Sequence, residues 1–177
     1  MLKTLRQISA VGIVTEPPPR TDDSLRLREA LQQRILNVLG RALCIRAVDA
    51  GSCNGCELEI HALNNPLYNI EGLGIRFVAS PRHADLLLVT GPVSRHMEVA
   101  LRRTYEAAPD PKLVVAVGDC GCTGGIFGES YASRGRVSNV IPVDVAIPGC
   151  PPNPTRILSG ILTVLETARA AAKPARA

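Results

Sequence analysis

Apolar positions along the chain follow two rhythms that change at about residue 42. Between Leu27 and Leu39 they recur every three or four residues (Leu27, Leu31, Ile35, Val38, Leu39). That spacing predicts a helix with one packing face and an Arg-rich face in solvent. Asp22, Asp23 and Ser24 offer N-caps and dipole-compatible charge at its start, and Gly40 a stop. From Leu43 onward, short apolar runs alternate with loops and helical stripes. Strands are predicted at Leu43–Val48, Ile75–Ala79, Asp85–Val89, Leu113–Val117 and Val143–Ile147. The run Asp85-Leu86-Leu87-Leu88-Val89 is apolar on both faces after its first residue, as in the middle of a parallel sheet.

Three helices fall between and after these strands. The first runs from Glu57 to Leu63 and is ended by Asn64-Asn65-Pro66. A second starts at a Ser94 cap and continues to Ala107, with the stripe Met97, Ala100, Leu101 and Tyr105. The third has Asn153 as cap and Pro154 in the first helical position, with the stripe Ile157, Leu158, Ile161, Leu162 and Leu165. Strands alternating with helices predict a flavodoxin-like three-layer α/β domain with a mainly parallel five-stranded sheet. An N-terminal arm plus helix precedes it. The expected divisions are an arm over 1–21, the amphipathic helix over 22–42, the α/β domain over 43–168 and a frayed tail over 169–177. Residues 1–16 alternate too weakly to predict an element, and Pro17-Pro18-Pro19 is a stiff extended connector. The arm is either a segment lying on another surface or a disordered tail.

Composition narrows the function classes. The chain has 177 residues, of which 46% are hydrophobic, enough for one domain with an ordinary core. Aromatic residues make up only 3%, with no Trp, so few rings are available to stack on bases, and nucleic acid is not an expected partner. Residues 1–52 carry eight basic and five acidic side chains, so most of the net +4 lies at the front end. That end suits an acidic partner or anionic headgroups, or is simply a solvated helix face. No run approaches the roughly 18 apolar residues of a membrane span, and no secretory signal is read at the start.

Six cysteines in a chain without a secretory signal point to metal or redox chemistry rather than structural disulfides. Cys53 and Cys56 flank Asn54-Gly55, directly after the first strand. Gly118-Asp119-Cys120-Gly121-Cys122 follows the fourth strand, and Pro148-Gly149-Cys150-Pro151-Pro152 the fifth. In a parallel sheet these turns share one edge, where α/β folds place their functional crevice. Four thiolates from three separated loops suit one [4Fe–4S] cluster, with Cys53, Cys56, Cys120 and Cys150 as the expected ligands. Cys122 is the rival to Cys120, and Cys44, inside a strand, is a core thiol. Gly51, Gly55, Gly118, Gly121 and Gly149 are expected to let backbone amides approach the cluster sulfurs. A structural zinc site and a redox dithiol at Cys53 and Cys56 remain as alternatives. A flavin site would want a Ser/Thr-rich phosphate loop after the first strand, which is missing here.

The motifs Cys-Asn-Gly-Cys-Glu (53–57), Gly-Asp-Cys (118–120) and Gly-Cys-Pro-Pro (149–152) resemble, in this order, those of the [NiFe]-hydrogenase small subunit superfamily. That superfamily includes the 20 kDa subunit of respiratory complex I. The resemblance covers about residues 43–166. The complex I subunit has adjacent cysteines in its first motif, whereas Asn54-Gly55 separates the pair here, as in hydrogenases. With no cysteine after Cys150 and no signal, the chain is similar to small subunits of energy-converting, group 4 membrane-bound hydrogenases, the hydrogenase-4 and formate hydrogenlyase type.

That resemblance implies an electron-transfer subunit with a single proximal cluster. Its partners would be a nickel-bearing hydrogenase large subunit, a ferredoxin-like iron–sulfur subunit and integral membrane subunits. It would sit peripherally on the cytoplasmic face of the inner membrane. The alternative within the superfamily is an NADH/quinone or sulfane oxidoreductase subunit whose large partner lacks nickel. Glu57 is a candidate for a proton path or for orienting the cluster loop, or else a plain helix-start carboxylate. Asp119 is a candidate for tuning the cluster or stabilising its turn. His61, His83 and His96 have no ligand spacing and are expected at the surface.

Overall fold

A computed structural model of the chain describes residues 2–11 and 21–172. The Pro17–Pro19 connector and the last five residues lie outside the described residues. Helix α1 (Leu2–Val11) occupies the stretch whose weak alternation predicts no element, and helix α2 (Thr21–Leu39) follows. The expected caps Asp22, Asp23 and Ser24 lie within the first turn of α2, since polar composition marks a helix start only to within a few residues. At the other end Gly40 takes φ +62°, the left-handed stop expected of it. Leu31 and Ile35 are buried on the inward face, with Leu27 and Leu39 packed beside them.

The remaining elements alternate along the chain. They are β1 (Leu43–Asp49), α3 (Gly55–Ala62), β2 (Ile75–Phe77), β3 (Leu86–Thr90), α4 (Arg95–Ala107), β4 (Leu113–Val117), α5 (Gly118–Thr123), β5 (Val145–Ile147) and α6 (Pro154–Ala172). The five strands form one sheet in the order β2-β1-β3-β4-β5, and every neighbouring pair is parallel. This is the flavodoxin-like arrangement, and its strand order reverses between β1 and β3. All strand C-termini therefore open on one edge.

Alternation along the strands divides the core into two layers. Leu86 and Leu88 face a cluster that includes Leu31, Ile60, Ile157 and Ile161 from α2, α3 and α6. Leu87 and Val89 face the opposite cluster, with Leu101 of α4 and Val137. All five residues of β3 are buried, and each fully buried Leu side chain contributes about 1.5–3 kcal/mol of transfer free energy.

Several expected elements differ in detail: β1 runs on to Asp49, β2 stops at Phe77, β3 lies one residue later at Leu86–Thr90, and α3 spans Gly55–Ala62. β5 begins at Val145, because at Asp144 the side chain replaces the backbone carbonyl: its Oδ2 accepts from the Val114 amide at 2.7 Å, while its amide donates to the Val114 carbonyl at 2.9 Å. On α4 the packing face centres on Leu101, and Ala100, one residue round the helix, is exposed.

Candidate metal centre

The three cysteine turns meet at the C-terminal edge, and each touches the other two. Cys56 Sγ lies 4.0 Å from the Val117 carbonyl at the end of β4. A Cβ at Gly55 would sit 3.8 Å from Pro151 Cγ, so the first turn abuts the third. The second and third are tied by backbone: the Asp119 amide donates to the Gly149 carbonyl at 2.8 Å, and Asp119 Oδ1 accepts from the Gly149 amide at 2.8 Å. Asp119 therefore stabilises the turns that carry Cys120 and Cys150.

Local conformation follows from the residues present. Asn54, in the left-handed region at φ 72°, ends the turn after Cys53 and starts α3 at Gly55, so Cys56 lies in that helix's first turn. Gly118 has φ +82°, and a Cβ there would come within 2.5 Å of Cys56 Sγ. No side chain fits this position while the thiol stays where it is. Gly121, expected beside the sulfurs, instead packs against the Val89 carbonyl, Ala116 and Val137 in the core. Asn153 Oδ1 accepts from the Arg156 amide at 2.9 Å and caps α6 just after Cys150. The N-termini of α3 and α6 thus both open beside the cysteine turns, the dipole ends that favour negative charge.

Burial and neighbouring charges make the thiols differ. Burial pushes the Cys56 thiol up to about 12, with further contributions from Glu57, Cys53, Cys120 and Cys150. Cys120 is also raised, first by burial and then by Cys150 and Cys53. Cys122 is pushed up to about 11 by burial and by Asp119, with no contribution from another thiol. On α5 the two positions lie about 200° apart around the axis, so they face opposite ways. Cys122 Sγ turns back to the Ala116 carbonyl at 3.7 Å and packs against the α4-side core. Cys44 is buried in β1, with its Sγ 3.9 Å from the Ala42 carbonyl.

Cys53, Cys56, Cys120 and Cys150 therefore come together, and Cys44 and Cys122 stand apart. Cys53 and Cys150 are exposed, while Cys56 and Cys120 are half-buried. Among the described residues, no group of three or more His, Cys, Asp or Glu side chains is arranged to hold a single metal ion. An iron–sulfur cluster spreads its ligands over separate iron atoms. Four sulfur donors on three adjoining turns, with Gly118 beside Cys56 Sγ and Gly125 beside Cys120 Sγ, fit that group in donor chemistry.

Two features of the site are hard to read from sequence. Glu57 accepts from Ser52 Oγ at 2.6 Å and forms a short hydrogen bond with Thr90 Oγ1 at the end of β3. The carboxylate thus clips the cysteine loop to the neighbouring strand. Thr90, almost fully buried, carries no motif signal beyond its place at a strand end. The second feature is the segment from Gly124 to Gly135. It folds back on α4 through the Val93 amide to the Gly135 carbonyl at 2.8 Å and the Arg95 amide to the Ala132 carbonyl at 2.9 Å. Gly125 lies directly over Cys120: a Cβ there would be 2.8 Å from its Sγ. Of the three histidines, His61 lines a cavity of about 300 Å³ beside Glu57, Arg46 and Phe77, and none lies among the four thiols.

Comparison with known proteins extends the reading. Residues 53–164 match the family model described as NADH ubiquinone oxidoreductase, 20 Kd subunit. The chain is 45% identical over 142 residues to a probable membrane-bound hydrogenase subunit, mbhJ, of Pyrococcus furiosus, covering 78% of this chain and 85% of that one. It is 44% identical over 150 residues to formate hydrogenlyase subunit 7 of Escherichia coli, covering 84% of this chain but only 58% of that subunit. Among solved structures, a chain of the membrane-bound sulfane sulfur reductase, an archaeal respiratory membrane complex, superposes with a TM-score of 0.66. It is 34% identical, and the match covers 80% of this chain and 77% of that one. The chain belongs to the family of the complex I 20 kDa subunit, and is a subunit of an oxidoreductase complex.

Proposed function

We propose that this chain is the electron-transfer small subunit of a membrane-bound [NiFe] hydrogenase complex, with Cys53, Cys56, Cys120 and Cys150 holding a single proximal [4Fe–4S] cluster. The observation that carries this is the meeting of the three strand-end turns at Cys56, Gly118 and the Asp119–Gly149 pair, while Cys122 Sγ turns back to the Ala116 carbonyl. The cluster, when bound, supplies one-electron transfer between a ferredoxin-like iron–sulfur subunit and the nickel-bearing large subunit. The Asn54-Gly55 spacer supports the hydrogenase branch, as do relatives named for hydrogenase and formate hydrogenlyase.

This chain's own residues position and insulate the site. Burial of Cys56 keeps water from one side, and Gly118 leaves the gap that its sulfur needs. The helix ends at α3 and α6 oppose the negative charge of ligated thiolates. Both Glu57 oxygens engage hydroxyls of this chain, which supports a role in orienting the cysteine loop over one in carrying protons. No described helix is long and apolar enough to cross a membrane, and relatives are subunits of membrane complexes. Integral membrane subunits are accordingly the proposed anchor, with this subunit peripheral on the cytoplasmic face.

A second reading rests on the likeness to the sulfane sulfur reductase chain: the same cluster beside a large partner without nickel. Metal analysis and electron paramagnetic resonance of the complex purified through this chain separate the two. Iron, acid-labile sulfide and a cluster signal with nickel in the large subunit are expected. The same signal without nickel selects the second reading, and tightly bound zinc with no iron rejects both.

A further inference from the structure

The turn after β3, residues 90–94, supplies none of the four sulfurs, yet the loop that bears Cys53 and Cys56 is seated on it. The Ala50 amide donates to the Thr90 carbonyl at 3.0 Å, and the Ser94 amide donates to the Ala50 carbonyl at 2.8 Å. Gly91, at φ +77°, meets the loop backbone: a Cβ there would lie 2.5 Å from the Ser52 nitrogen. We propose that Thr90 is the positioning residue of this seat: its hydroxyl, acting through Glu57, sets where the Cys53 and Cys56 sulfurs stand at the cluster. The proposal rests on the electron-transfer reading above.

A hydroxyl is out of place in this strand unless it has such a task. The other four residues of β3 are Leu or Val, all buried, and Thr90 itself is 1% exposed. Valine would fill the same place without a polar group to desolvate. The hydroxyl instead reaches both ends of the cysteine segment. It lies 3.3 Å from the Val48 carbonyl, just before the loop, and forms the short bond with Glu57 Oε1, just after Cys56. From Glu57 the bonds run on into the loop. Its Oε2 accepts from Ser52 Oγ at 2.6 Å, and Ser52 Oγ accepts from the Asn54 amide at 3.1 Å. Asp49 Oδ1 accepts from the Gly51 and Ser52 amides at 2.7 Å and 2.8 Å. Cys53 therefore sits between two residues bonded to each other, and Cys56 is adjacent to the carboxylate that Thr90 holds. Bonds of this kind, one step behind a metal ligand, orient it, and their loss weakens metal binding about 10–100-fold.

The test uses the complex purified through this chain. Thr90→Val keeps the strand and every charge, so an effect on the cluster reports position. It should change the g values of the cluster's electron paramagnetic resonance signal, shift its midpoint potential and speed iron loss to a chelator about 10–100-fold. Thr90→Ser removes a buried methyl but keeps the hydroxyl. It should lower the thermal midpoint yet retain the wild-type g values and release rate. A purely structural role would make the cluster effects follow the thermal midpoint in both variants, and that result overturns the inference. Wild-type g values and release in Thr90→Val overturn it as well. Ser52→Ala, at the half-buried other end of the same carboxylate, carries the test where Thr90→Val does not assemble: an altered signal is expected, and an unchanged one overturns the inference. A wild-type complex with no iron and no cluster signal overturns the electron-transfer reading, and the inference with it. The failures seen in the variants alone leave that reading standing.

Discussion

Asp119 and Gly149 exchange two hydrogen bonds, each 2.8 Å long: amide to carbonyl one way, amide to carboxylate the other. This pair joins the turn after β4 to the turn after β5. It bonds the segments bearing Cys120 and Cys150 directly. Asp119→Ala leaves the Gly149 amide without its carboxylate acceptor, at a cost of about 1–3 kcal/mol. Urea denaturation should show that loss, and the cluster should be released faster to an iron chelator than in the wild type. Unchanged release kinetics would mean that the Cys150 turn is held by other contacts.

Cysteine replacements separate ligand from bystander. Cys120→Ala and Cys150→Ser should each abolish the visible absorbance of the cluster and lower the bound iron. Cys122→Ala should leave both at wild-type levels, because its sulfur faces the Ala116 carbonyl and the core. A cluster that survives Cys120→Ala but not Cys122→Ala would reverse the assignment.

Gly118→Ala tests the gap beside Cys56. The added methyl would meet Cys56 Sγ at 2.5 Å, on a backbone at φ +82°. Left-handed strain of about 1–2 kcal/mol adds to the steric conflict. The variant should fold with a lower thermal midpoint and incorporate less than half the wild-type iron. Full incorporation would show that the thiol has room to move aside.

The brace on the segment from Gly124 to Gly135 should weaken in acid. The hydrogen bond from Arg134 holds the Glu98 carboxyl below its usual range, with Arg102 adding to the effect. A depressed folded pKa means that the pairing stabilises fully above the ordinary carboxylate range and is lost as pH falls through the lowered value. Amide exchange in residues 124–136, corrected for intrinsic rates, should therefore accelerate at acid pH. Glu98→Gln should remove that pH dependence, and a persistent one would assign it to another group.

Leu88 reports on the core. It is fully buried in β3, facing the α2 and α6 side. Leu88→Ala should destabilise the fold by about 2–5 kcal/mol in denaturant titration. A loss under about 1 kcal/mol would indicate that neighbouring side chains collapse into the space.

The sheet and the edge that bears the cysteines were legible because their signals are local and periodic. Leu113–Val117 can be delimited to the residue from its apolar run, and Pro154 marks its helix start through fixed ring geometry. Parallel pairing then follows from alternation with helices, and with it the shared edge. What stayed hidden depends on contacts between distant residues. The bonds from Glu57 to Ser52 and Thr90 join a helix start, a loop and a strand end, and no spacing rule links those positions. The choice between Cys120 and Cys122 turned on α5, a six-residue helix too short and too Gly-rich to have a periodic signature. The segment from Gly124 to Gly135 was likewise silent, since Gly, Ser and Arg there read as an ordinary loop until its bonds to the start of α4 are seen.

The separation of the four thiols along the chain also governs when the site can come into being. Cys53 and Cys56 emerge early in synthesis, but Cys150 arrives only with β5, and β5 pairs with β4 alone at the far edge of the sheet. A nascent chain therefore carries its first two sulfurs for nearly a hundred residues before the last partner exists. On the proposed ligand set, a cluster could close only after β5 has paired with β4, and loading would report that this strand has docked. A loaded subunit would in this sense be a proofread one.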